Sequence, residues 1–392
     1  FGTYFSYTGK HLPNPAGEML AVDVIERAAT IGGQDSSFQG RMEMKNTAWA
    51  LIKDHPMGTA EGGWEAWYHN YQDRLYWSSE VHDHFLQIWV EGGTIAFLAY
   101  SAFWIVLFWQ IIRKLISYIR EEEDYPNGPL LAAAAVAALI LLLHSAFDFD
   151  LSLTAVAFIL WALAGALANE LEEPLWQREQ KLPAPIMPLV LLGMAVLLFF
   201  PAVKELTAQV ELEAAKQAIV NQYHPRAIDK LEKVLKISPD DGEAAGLLAL
   251  QYAKRYELKG NEEYLAQGMN YAKLAEELHP REVKTRWRIV EAMRIFDAGE
   301  ELLRQQEELV TIAPKWPLAY QKLGESLSLR LMQQLDEGNA RQVSIYATKL
   351  FEVGETAERN YILSRKNYLT KPAPRIYFMA GQAALLLKDE TE

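Results

Sequence analysis

Cysteine is absent from the chain. That excludes disulfides, thiolate metal sites and a cysteine nucleophile, and it leaves the compartment open. An excess of positive charge is absent too. The 38 Lys and Arg stand against 51 Asp and Glu, for a formal net charge of -13. Phosphate backbones are bound by basic surfaces, so this balance argues against a nucleic-acid partner. The chain opens "FGTYFSYTGK", with neither an initiating Met nor a signal-peptide pattern. That opening reads as part of something longer. The 392 residues allow two or three domains.

Apolar sequence is abundant but unevenly spread. Four runs stand out: Thr94–Ile112, Gly128–Phe147, Leu151–Ala168 and Ile186–Val203. Each is near the ~20 residues that a spanning helix needs, and a buried soluble helix rarely stays apolar all round for so long. The expected fold is therefore all-α, beginning with a polytopic membrane bundle of about four spanning helices. Arg113, Lys114 and Arg120 follow the first run, and Arg178 and Lys181 follow the third, whereas the "DFD" link between runs two and three has no Lys or Arg. The positive-inside rule puts the basic segments in the cytoplasm. The expected division is an extracytoplasmic loop region at 1–92, transmembrane helices at 93–203 and an extracytoplasmic domain at 204–392.

Titratable residues gather at one side of this bundle. His82, His84 and Glu91 lie at the mouth of the first run, and His144, Asp148 and Asp150 lie where the second ends and the third begins. Such groups usually face a bundle interior or a wet cavity. His144 and Asp148 are spaced to pair on one helical face, as structural partners or in a substrate role. The "HDH" at 82–84 is not expected to hold a metal, because residues two apart on a helix point apart.

Beyond Val203 the sequence is charged, rich in Ala, Leu and Glu, and helical in pattern. Similar helix ends recur at "LKISPDD", "AEELHPRE" and "VTIAPKW", carrying Pro239, Pro280 and Pro314. The last two prolines are one tetratricopeptide period apart, and "KGNEEYL" lengthens the first interval. This resembles an α-solenoid of tetratricopeptide repeats, a binding or docking surface that would fit a protein partner.

Before the first run lies a helix-patterned segment, "FQGRMEMKNTAWALIKD", with Met44, Ala48, Leu51 and Ile52 on one face. "HPMG" ends it. Trp64, Trp67, Tyr68 and Tyr71 then fall on one face of a second helix. "EVHDHFLQIWVEGG" follows.

The order of these segments across residues 37–165 resembles the O-antigen ligase and polymerase family of bacterial membrane glycosyltransferases. Arg41 leads the helix; Pro56, Gly58 and Gly63 carry the glycine segment; His82, Phe85, Leu86, Gln87, Glu91 and Gly93 carry the signature. Asp83 replaces the usual Asn, and Ala96 a common second Gly. The membrane helices that usually precede these motifs are not in the sequence, in keeping with a fragment. The resemblance implies transfer of a glycan from a polyprenyl-diphosphate carrier to a lipid, polymer or protein acceptor. It implies a reaction at the outer face of the cytoplasmic membrane that uses no nucleotide sugar, and no cofactor is expected. It implies His82 and Arg41 as catalytic residues. Arg74, Trp64, Tyr71, Gln87, Glu91, His144 and Asp148 are candidates for substrate binding. The chemistry suits these residue types: Arg offers a two-pronged donor to a leaving diphosphate, and His suits a base near neutral pH.

Other readings stand beside these. Arg41 also fits a solvated helix charge, "YQDRLY" around Arg74 is no firm motif, and Trp and Tyr also favour the headgroup zone. His84 reads as structural. Ligase, surface polysaccharide polymerase and protein O-glycosylating transferase share the signature. A non-catalytic membrane-anchored repeat scaffold is the rival from another class.

Overall fold

The computed structural model describes residues 36–120, 127–171, 186–364 and 374–389, and all regular secondary structure among them is helical. Arg178 and Lys181, used above for orientation, lie outside the described residues.

Helix α1 (Ser36–Asp54) and helix α2 (Gly63–Tyr71) form a small layer over the first turns of helix α3 (His84–Ile119). The amphipathic pattern explains α1: Ala48, Leu51 and Ile52 are buried with Trp64, Tyr68, Val81, Leu86 and Val90, and Met44 packs against them. Helix α3 is broken at Gly93, whose φ of 75° and ψ of -179° open the hydrogen-bond ladder. The 56–60 loop repairs the break. Thr59 N–H donates to Val90 O at 2.9 Å, Ala60 N–H to Glu91 O at 3.0 Å, and Thr94 N–H to Pro56 O at 2.9 Å. Helix groups that lose intrahelical partners thus find others. The crossing is so close that a Cβ on Gly93 would sit 2.4 Å from the Met57 carbonyl, and one on Gly58 2.4 Å from Glu91 O. The glycines at "HPMG" and "EGG" are there for each other.

Beyond the break, α3 packs with helix α4 (Gly128–Ser145), a 3₁₀ turn (Asp150–Ser152) and helix α5 (Thr154–Asn169). Trp104, Leu107, Ile111, Ala138, Leu142, Leu160 and Ala164 lie in the shared core. Helices α3 and α4 are long and apolar enough to cross a membrane, yet only 17% and 33% of their most apolar stretches is buried inside the protein. Core helices of soluble proteins bury most of their surface. Here Ile95, Ile105, Trp109, Ile140 and Leu143 point outward, as a membrane-embedded region requires. The third run yields a helix of 16 residues, shorter than a usual span. The fourth lies in a 35-residue helix, α6 (Ile186–Val220), that continues through Pro201 into the charged region.

From α6 onward, helices α7 (His224–Ile237), α8 (Gly242–Lys259), α9 (Glu262–Leu278), α10 (Val283–Ile295), α11 (Glu300–Ile312), α12 (Pro317–Asp336), α13 (Ala340–Ser364) and α14 (Pro374–Asp389) follow. Each packs on its neighbour in sequence, and α8 also packs on α10, and α12 on α14. Pro239, Pro280 and Pro314 each stand two residues past a helix end. Small residues set the approach: Ala245, Ala249, Ala272, Ala275 and Ala292 are buried together, and a Cβ on Gly268 would strike the Phe296 ring at 2.4 Å.

These helices touch the α1–α2 layer through a polar seam. Asn70 Nδ2 donates to Thr311 O at 2.9 Å, and Arg281 donates to Asn70 Oδ1 at 3.3 Å while its guanidinium lies 3.7 Å above the Trp67 ring. Lys284 pairs with Glu65, and Trp77 meets Trp316 edge-on at 5.3 Å. Beneath it, burial and then the charge of Lys284 push the His69 ring down to about 3, so it is neutral.

Candidate functional site

Three separate segments converge where α3 begins and α4 ends. Helix α1 supplies Arg41 and Lys45, one turn apart and so on one face. The strap before α3 supplies His82 and Asp83. The corner after α4 supplies Phe147, Asp148 and Phe149.

Arg41 grips the corner twice. Its Nη1 donates to Phe147 O at 2.9 Å and its Nη2 to Asp148 Oδ2 at 3.1 Å. Lys45 Nζ donates to Ala146 O at 2.6 Å and lies 4.4 Å from the Phe147 ring centre. Both cations therefore meet backbone carbonyls just past a helix C-terminus, where such oxygens lack helical partners and positive charge is favoured. The Lys45 ammonium also pairs with Asp83 Oδ2 at 2.8 Å. Asp83 Oδ1 caps α3 by accepting from Leu86 N–H at 3.0 Å.

His82 holds a left-handed backbone, φ 55°, which is uncommon for a residue with a side chain and is typical of strained functional positions. Its Nδ1 faces Asp148 Oδ1 at 3.5 Å, and its ring meets Phe149 edge-on at 4.7 Å. That nitrogen is buried and its geometry falls short of a hydrogen bond. Burial lowers the tendency of the imidazole to protonate; Asp148 opposes this and Arg41 adds to it, and the net shift is downward. Burial works to raise the Asp148 carboxyl, but the Phe149 N–H, Arg41 and His82 outweigh it and hold it below its ordinary range. The result is a neutral imidazole beside an ionised carboxylate. A carboxylate facing Nδ1 favours the tautomer protonated there and leaves the Nε2 lone pair free to accept a proton.

Of the residues singled out from the sequence, Arg41, His82 and Asp148 are brought together. The others are placed elsewhere. His144 does not pair with Asp148: α4 ends at Ser145, so Asp148 leaves the helical register, and His144 Nδ1 pairs with Asp150 at 2.6 Å instead. Trp64 is wholly buried and stacks on Tyr68, so it offers no face to a glycan. Tyr71 donates to Asp54 at 2.9 Å. Arg74 is engaged by Glu43 of α1. Gln87 accepts from Val81 N–H at 2.9 Å, and Glu91 accepts from Gly62 N–H at 3.1 Å at the start of α2, so both fix the loops around the site. His84 packs edge-on against Phe85 and Tyr100. Among the described residues no group of His, Asp and Glu has the arrangement of a metal site. Sequence reading missed Lys45; its spacing of four from Arg41 was the available signal.

The family model described as O-antigen ligase matches residues 13–101, less than half of the chain, with 13–35 lying outside the described residues. The match takes in α1, α2, His82 and the break at Gly93. Nothing matches among curated proteins, and nothing among solved structures.

Proposed function

We propose that this chain carries the outer-face catalytic portion of a bacterial membrane glycosyltransferase that moves a glycan from a polyprenyl diphosphate to an acceptor, in the manner of an O-antigen ligase. The observation that carries the reading is the convergence of Arg41, His82 and Asp148 at one end of two outward-apolar helices. The partial match to the O-antigen ligase family, which includes Arg41 and His82, supports it.

In this reading His82 Nε2 takes the proton of the acceptor hydroxyl as its oxygen bonds to the anomeric carbon. The bond from that carbon to the diphosphate oxygen breaks, and the electron pair leaves with the diphosphate. Arg41 stabilises the charge that grows there, an interaction worth most in the transition state. Asp148 orients both.

The third and fourth apolar runs are read as further spans; exposed Phe158, Trp161, Leu192, Leu197 and Phe199 suit lipid contact. Residues 1–92 and 204–392 then lie outside the cytoplasm. The stacked helices after α6 are read as tetratricopeptide-like repeats that recruit the acceptor or a protein partner. Their seam with α2 keeps them beside the site, which a bare repeat scaffold would not need.

The test is glycan transfer in a strain lacking the full-length gene, complemented with variants at equal protein level. His82→Ala should abolish transfer, since removing a general base costs about 10²–10⁴-fold. Arg41→Lys should be nearly as damaging, because a point charge does not replace the fork. Near-normal transfer by His82→Ala sinks the assignment.

A further inference from the structure

The Lys45–Asp83 pair is not used by the chemistry above, yet it touches every part of the site. Asp83 follows His82 directly, and its side chain is only 9% exposed. It is held there by its capping bond to Leu86 N–H, so it cannot swing away without freeing the start of α3. A buried carboxylate in this place is awkward for a site that must receive a diphosphate, because like charges at low dielectric repel strongly. Lys45 answers it at 2.8 Å. The same ammonium reaches Ala146 O at 2.6 Å, on the corner that carries Asp148. One side chain thus ties the strap bearing His82 to the corner bearing its carboxylate. The Lys45 side chain is 16% exposed, against 35% for Arg41, so Arg41 is the more accessible of the two cations.

We infer that Lys45 is a positioning residue: it cancels the Asp83 charge beside the anion-binding face, and by bridging two segments it keeps His82 opposite Asp148. The inference rests on the glycosyltransferase reading and adds to it a charge balance in which Lys45 offsets Asp83 as Arg41 offsets Asp148, so that losing Lys45 alone leaves the site with net negative charge. Lys45 itself touches no substrate.

A charge-deletion cycle tests this on the full-length protein in lipid nanodiscs, with a glycan-free polyprenyl diphosphate as the probe and transfer kinetics measured alongside. Lys45→Met keeps the apolar stem over Phe147 and exposes the bare carboxylate, so diphosphate binding should weaken roughly tenfold, the order expected for one unpaired charge at a partly buried site. The loss should grow at low salt. Asp83→Asn keeps a good capping group and removes the repulsion, so it should bind at least as tightly as the wild type. The double variant should recover to within about threefold of the wild type, since the two effects are coupled. A purely structural lysine gives another pattern: diphosphate affinity stays put in every variant, while Lys45→Met and the double variant lose thermal stability and kcat alike. That pattern overturns the inference. If Lys45→Met does not fold, Asp83→Asn decides alone, and a folded Asp83→Asn that binds tenfold more weakly overturns it. A wild type that binds no polyprenyl diphosphate overturns the functional reading and this inference with it; a wild type that binds, with Lys45→Met equal to it, overturns this inference only.

Discussion

At the scale of single residues, the site is a problem in holding one imidazole neutral next to charge. Burial, with Arg41 adding to it, lowers the His82 ring, while Asp148 pulls the other way. A base works only when deprotonated, so the rate should fall on the acid side as the ring protonates. The lowered value puts that fall below the ordinary 6.5. The two partners should move it in opposite directions. Arg41→Gln removes a charge that disfavours the imidazolium, so the acid limb of the residual rate shifts to higher pH. Asp148→Asn removes a charge that favours it, so the limb shifts to lower pH. A pH profile of transfer for each variant checks this; limbs that stay put, or move together, count against His82 as the titrating group. The types of residue at this site were legible in the sequence, because Arg and His have few substitutes in such chemistry. Their pairing was not. Asp148 went to Arg41 and His82 rather than to His144, because α4 stops three residues before it.

At the scale of elements, the break in α3 is what brings the strap and loops into place. Gly93 has a left-handed φ and touches the Met57–Gly58 backbone. Gly93→Ala would add both backbone strain and a contact that nothing flexible can relieve. Its cost should exceed the ~1 kcal/mol of an ordinary point change. Detergent-solubilised protein should show a lower unfolding midpoint and faster proteolysis of the loops before α3, together with reduced transfer. Ala96, by contrast, lies in regular helix, and Ala96→Gly should cost roughly 1 kcal/mol or less. A wild-type midpoint for Gly93→Ala would mean that the crossing of the two glycines is looser than described.

At the scale of the whole molecule, the question is how the helices after α6 sit against the layer that carries Arg41. The contacts are charged, amide and aromatic ones, Glu65–Lys284, Asn70–Thr311 and Trp77–Trp316, rather than a broad apolar face. Interfaces of this kind inside one chain allow relative motion. The absence of cysteine makes a direct check simple. Asn70→Cys with Thr311→Cys should be joined in intact cells by a short bismaleimide that cannot pass the membrane. No joining places the seam elsewhere; joining only after lysis reverses the orientation and removes the site from the outer face.

The sequence by itself determined the helical class, because its apolar residues recur at helical spacing or fill whole runs, and both patterns are local. It also determined that α3 and α4 are apolar enough to cross a membrane, and it offered the Arg and His that the proposed transfer would use. Spacing exposed helix ends too, at "HPMG" and at Pro239, Pro280 and Pro314, since Pro and Gly act on the backbone where they stand; the break at Gly93 came only from the structure. The tertiary structure alone decided which charges meet. Arg41, Lys45, His82, Asp83 and Asp148 come from three segments up to 107 residues apart, and their pairing depends on where α4 ends and how α1 meets the corner after it. It decided, likewise, that Trp64 is core rather than a platform, for helical periodicity gives a face but not what covers it. A face is a property of one helix; burial and ion pairing are properties of two.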